Sequence, residues 1–205
     1  MAFSPRLSQM PVSLVFERAF RRIYGKPCWG TRVGYGLMLD MHFGRPHLEV
    51  REPMVASKDC SARVRESLAR RGLYVHGEWH LWIYSCNWEI FSKGKRIGDN
   101  STERSACRAA AFLKGEKLTR LSISPRKVEC AFEFDLGATL RTRPDNKGSD
   151  QWLLFINLPH SDVPVDKRYP AKASHRVLTL RGDGFYSYHH PDLSPGLQRW
   201  KPISI

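Results

Sequence analysis

Apolar and polar residues alternate with two different periods along this 205-residue chain. Val12, Val15, Phe16, Ala19, Phe20 and Ile23 recur at helical spacing and predict a helix over residues 12–24, with Pro11 suited to its first turn and Gly25 to its stop. The period then drops to two. Leu37, Leu39, Met41 and Phe43 alternate with Met38, Asp40 and His42, Gly44-Arg45-Pro46 reads as a turn, and residues 47–51 return as a second strand, so a hairpin is expected here. A second helix is predicted between Ser57 and Gly72, capped by Ser57 or Asp59, with only Val64, Leu68 and neighbouring alanines as an apolar stripe. A third runs from Thr102 to Lys114. Asn100 and Glu103 have capping-box spacing ahead of it, and Ala106, Ala109, Ala110 and Leu113 give it a small-residue face.

The stretch "VHGEWHLWIYSCNWEI", residues 75–90, reads as one strand. Its odd positions, with Trp79, Leu81 and Ile83 at the centre, look like core. Its even positions carry His76, Glu78, His80, Trp82, Tyr84, Cys86 and Trp88. From Gly115 onward the chain reads as short strands separated by Gly, Pro and Asp turns, with Arg181-Gly182-Asp183-Gly184 as a tight hairpin and a long loop over 159–175 that is either mobile or functional. The pattern predicts a single α+β domain over residues 1–205. It would be built on a mostly antiparallel sheet (a meander, a partly open barrel or a sandwich) with two or three packed helices.

Composition narrows the function classes. Hydrophobic residues make up 41% of the chain, enough for a sizeable core, yet no run is long enough to span a membrane. The first twenty residues lack the apolar run of a signal peptide, so a cytoplasmic protein is expected. The five cysteines are scattered without a C-x-x-C pair and read as free thiols. The net charge of +13 calls for an anionic partner, a nucleic acid or an acidic protein. Arg63, Arg65, Arg70 and Arg71 form the densest basic cluster, and Arg18, Arg21 and Arg22 a second patch.

Residues 76–80 read His-x-Glu-x-His. On a strand, His76 and His80 lie ~13 Å apart at about 3.3 Å per residue, too far for one ion to bind both at ligand distances near 2 Å. Only the pairs His76/Glu78 or Glu78/His80 are close, and a third ligand would have to come from another strand. No metal and no cofactor are therefore expected. Cys86 and His80 stand ~20 Å apart by the same reckoning, so a Cys/His pair would need His42 or His47. The glycines of "GTRVGYG" fit neither nucleotide-binding fingerprint, and there is no G-x-S-x-G. Trp82, Tyr84 and Trp88, on one face, are candidates for base stacking.

The segments "FGRPHLEVREP", "VHGEWHLWIYSCNW", "FEFDLGATLRTRP" and "LTLRGDGFYSY" resemble a family of small uncharacterised bacterial proteins, over most of the chain from Phe16 onward. That resemblance implies no activity and no functional residue. Size and texture are also similar to β-rich immunity and accessory proteins of bacterial conflict systems. The leading expectation is a non-catalytic binding module for an anionic macromolecule, using Arg63, Arg65, Arg70, Arg71, Trp82, Tyr84 and Trp88. The alternatives are a partner-binding immunity or accessory protein, and an enzyme using His76, Glu78 and His80.

Overall fold

A computed structural model describes residues 12–157, 175–191 and 193–203. Apart from residue 175, the long loop expected over 159–175 lies outside the described residues. The fold is α+β, with two open antiparallel sheets and three helices among the described residues. One sheet has seven strands in the order β1 (Cys28–Val33), β2 (Leu39–Arg51), β3 (Gly72–Ile83), β9 (Asp150–Asn157), β10 (His175–Arg181), β11 (Phe185–His189) and β12 (Lys201–Pro202). The other has five, ordered β5 (Lys95–Asp99), β4 (Cys86–Ser92), β8 (Ala138–Pro144), β7 (Glu129–Phe134) and β6 (Leu118–Ser124). The sheets share one core. Trp152 of β9 meets Phe132 of β7 edge-on at 6.1 Å, and its indole N–H donates to the Cys130 sulfur at 3.3 Å.

Helix α1 (Val12–Arg21) buries Val15, Phe16, Ala19 and Phe20 of the stripe its spacing predicts. Phe16 and Phe20 both set their rings edge-on to Trp152, at 5.8 and 5.6 Å, and Phe20 also meets Phe132. Each of these rings stabilises the fold by about 1.5–3 kcal/mol through burial. Helix α3 (Glu103–Phe112) buries Ala106, Ala109 and Ala110. It lies so close to β5 that a Cβ on Gly98 would fall 2.6 Å from the Ser105 carbonyl. The cap is Thr102, whose hydroxyl accepts from the Ser105 N–H. Asn100 does other work, bonding the Trp88 N–H and the Cys86 carbonyl at the neighbouring strand. Helix α2 (Ala62–Leu68) is capped by Ser61 rather than Ser57 or Asp59, and none of its residues is buried. It is held instead by Arg51, whose guanidinium donates to the carbonyls of Ser67, Leu68 and Arg70 at the helix C-terminus.

Two expectations fail in ways that shape the site. The Gly44-Arg45-Pro46 segment is not a turn: β2 runs straight through it for thirteen residues. The register with β3 shifts by one residue between Phe43/Trp79 and Pro46/Gly77. This is a β-bulge, with Gly44 at φ +79° and the Arg45 N–H bonded to the Glu78 carboxylate at 3.0 Å. Pro46 is tolerated because a bulge interrupts the ladder where its missing N–H would be needed.

The second failure is that residues 75–90 are not one strand. The chain turns a corner at Tyr84-Ser85, where the Cys86 N–H bonds the Tyr84 carbonyl, and passes from one sheet to the other. Inward-facing residues are odd before the corner (Trp79, Leu81, Ile83) and even after it (Cys86, Trp88, Ile90). Trp88 is accordingly a core residue, 2% exposed, with its indole N–H on the Leu37 carbonyl.

Candidate metal centre

The ladder of the seven-stranded sheet sorts its side chains onto two faces. Trp79, Leu81 and Ile83 of β3 face the core with Met41 and Phe43 of β2. On the opposite face, His42 of β2 stands directly across from His80 of β3, and Asp40 directly across from Trp82. The next strand, β1, brings Trp29 against His42 and Arg32 against Asp40. Three neighbouring strands thus deliver two histidines, a carboxylate, a guanidinium and two indoles to one place. Asp40, His42 and His80 are all buried there.

His76 joins them. The bulge lets β2 and β3 come very close at Gly77, where a Cβ would lie 2.4 Å from the Phe43 carbonyl oxygen. Side chains lean along a strand as well as standing off it, and the His76 ring centroid lies 5.6 Å from that of His42 and 5.7 Å from that of His80. The His42 and His80 rings stack at 4.0 Å. One ligand atom from each of His42, His76 and His80 lies within 4.8 Å of the other two. This overturns the argument from strand spacing against a shared ion: ~13 Å between positions on a strand is not the distance between the ring nitrogens.

Around this cluster the polar contacts are dense. Asp40 accepts from the Arg32 guanidinium at 2.5 Å, contacts the His80 Nε2, and lies 3.6 Å from the His42 Nε2. The Trp82 indole N–H is directed at the same His80 Nε2. One imidazole nitrogen cannot accept from Trp82 and donate to Asp40 at once, so two demands converge on one atom. Trp29 stacks on His42 at 5.3 Å and is held there by an indole hydrogen bond to the Gly44 carbonyl in the bulge. His76 pairs with the Glu49 carboxylate at 3.3 Å.

Burial pushes the His42 imidazole down to about 4, helped by the neighbouring His80. Burial also lowers His76, against the pull of Glu49. Burial alone would raise Asp40, but its hydrogen bonds to His80 and Arg32 hold its carboxyl below the usual range. His42 is therefore neutral at physiological pH, the form in which an imidazole offers a lone pair to a metal.

The other predicted residues are dispersed. Glu78 is turned to the bulge, bonded to the Arg45 N–H. The stacking platform divides at the corner: Trp82 is half-buried beside His80, Tyr84 is exposed, and Trp88 is in the core. Cys86 is buried, donates its thiol to the Gln151 carbonyl, and has its pKa raised by burial, which leaves no activated nucleophile there. Arg70 pairs with Glu66, Arg71 forks onto Glu52, and Arg65 donates to the Lys58 and Cys60 carbonyls. The α2 cluster thus carries its own counter-charges, and Arg63 is its fourth, exposed member. No described helix is long and apolar enough to cross a membrane. Sequence reasoning missed His42 as the third imidazole of the cluster and Asp40 as its neighbour. The only signal was that both fall on the polar phase of a strand, just ahead of the Phe43-Gly44 bulge. Comparison with known proteins finds no matching family model, curated protein or solved structure.

Proposed function

We propose that this chain binds a divalent transition-metal ion through His42, His76 and His80, with Asp40 supplying negative charge beside it. The observation that carries this reading is the convergence of three imidazole ligand atoms within 4.8 Å. A tetrahedral zinc site with bonds of about 2.0–2.1 Å separates its donors by about 3.3 Å, so modest ring rotations close the set. All-imidazole sites suit zinc, copper, iron and nickel. Three protein ligands leave a coordination position open, the arrangement in which a bound water becomes a nucleophile or a substrate oxygen is polarised. His42 and His80 are buried while His76 is partly exposed, which puts the accessible side of the centre at His76.

One contact works against the ion. The Gly77 N–H donates to the His42 Nδ1 at 3.3 Å, placing the proton of neutral His42 on Nε2. Ligation through Nε2 needs the other tautomer and gives up this long hydrogen bond, which at that length is a weak one. Two of the four arginines of the densest cluster carry acidic partners on the same surface, Arg70 with Glu66 and Arg71 with Glu52, which favours the histidine centre over a purely electrostatic binding module.

The test is metal content and spectroscopy. Purified full-length chain is stripped with chelator, and Co2+ is titrated in while the visible d–d bands are followed. One equivalent of Co2+ with tetrahedral or five-coordinate bands is expected, displaced by Zn2+ and lost in His42→Phe and His80→Phe. Substoichiometric binding, or bands unchanged in both variants, sinks the proposal.

A further inference from the structure

On the opposite face of the same sheet from the histidines, a cavity of about 190 Å³ opens between α1 and strands β3, β9 and β11. Its walls are Val15 and Ala19 of the helix and Trp79, Ile156 and Tyr188 of the sheet, and the exposed Arg18 and Arg22, one helical turn apart, complete it. We propose that this cavity binds a small aromatic carboxylic acid in its anionic form.

Two observations lead there. The volume comes first: an apolar cavity of roughly 150 Å³ holds benzene, so about 190 Å³ takes a ring carrying one small substituent. The second is the pairing of an apolar floor with guanidinium groups, whose planar fork matches a carboxylate bidentately. Arg18, Arg22 and Arg176 all act electrostatically on the Tyr188 hydroxyl at this end of the sheet. Inorganic phosphate fits less well, because it would leave five largely apolar walls unfilled. The proposal is independent of the metal, since Trp79 and His80 point to opposite faces of β3.

The experiment is isothermal titration of the full chain with sodium benzoate, with benzamide as the neutral analogue and inorganic phosphate as the bare anion. Saturable benzoate binding in the millimolar range or tighter is expected, with benzamide and phosphate each much weaker. Arg22→Gln should weaken benzoate about 10- to 100-fold, the usual loss for a charge-assisted hydrogen bond. Ala19→Leu should abolish binding by filling the cavity. Arg22 is exposed, so its replacement leaves the fold intact even where Ala19→Leu strains it. The proposal is overturned if benzoate does not saturate, if benzamide or phosphate binds as well as benzoate, or if Arg22→Gln leaves affinity unchanged.

Discussion

Acid should loosen the metal-free protein in a way that can be traced to His42. The unfolded chain carries this imidazole with its ordinary value of 6.5, whereas the folded chain holds it at about 4. Above pH 6.5 the group is neutral in both states and contributes no pH dependence. Below 6.5 the unfolded chain takes up a proton that the folded chain refuses, so folding stability falls as pH falls, and the loss is complete near pH 4. At about 1.4 kcal/mol per pH unit the whole interval amounts to about 3 kcal/mol. For a chain of this size that is a drop of about 6–12 °C in Tm. His76, also lowered by burial, adds a loss of the same sign.

The assay is a series of thermal melts in chelator between neutral pH and pH 4, on the wild type and on His42→Phe. Phenylalanine keeps an aromatic ring between Trp29 and His80 but cannot titrate. The variant's Tm should fall with acid more gently than the wild type's, whatever its absolute stability. Parallel curves would refute the assignment. Added Zn2+ should raise the wild-type Tm near neutrality and make its acid loss steeper, because protons and metal compete for the same lone pairs.

Other expectations follow from the corner, the bulge and the isolated helix. Trp88→Ala should destabilise the chain by about 3–5 kcal/mol in urea unfolding, since it empties the core and strands the Leu37 carbonyl. Trp82→Ala should cost much less and register instead in the Co2+ spectrum, because Trp82 touches His80. Gly77→Ala drives a Cβ into the Phe43 carbonyl, so both stability and metal affinity should fall; an unperturbed Co2+ titration would argue against the bulge as the organiser of the site. Arg51→Met should leave the Tm nearly unchanged while amide exchange across α2 accelerates markedly, because α2 has no buried residue and ends on that guanidinium.

Much of the fold was legible because most of its elements keep one period and one phase. The stripe of α1 and the small face of α3 were read correctly from spacing, and so was the hairpin at Arg181–Gly184. The two failures share a cause. At Tyr84-Ser85 the inward phase slips by one residue, and at Gly44–Pro46 one residue is inserted against β3. Both defects change which residues are neighbours without changing the local alternation. The first slip is visible in retrospect, since Leu81-Ile83 and Trp88-Ile90 cannot share a face. The second is not, because Gly-Arg-Pro carries turn chemistry whether it turns or bulges.

The site was less legible than the fold, for a reason that also bears on its meaning. Sequence spacing measures distance along one strand, and this cluster is made across strands, by a register that places His42 opposite His80. Alternation ordinarily separates a dry face from a wet one. Here part of the second face is dry as well: Asp40, His42 and His80 are buried opposite the core, and Thr179 and Ser187 on the same face have buried hydroxyls with no partner among the described residues. Burying such groups costs free energy that apolar residues at these positions would not. The buried charge on Asp40, the imidazole kept neutral beside it and the two claims on one His80 nitrogen are hard to explain as packing. They agree with the proposed cation site, and local rules tend to be broken where function requires it.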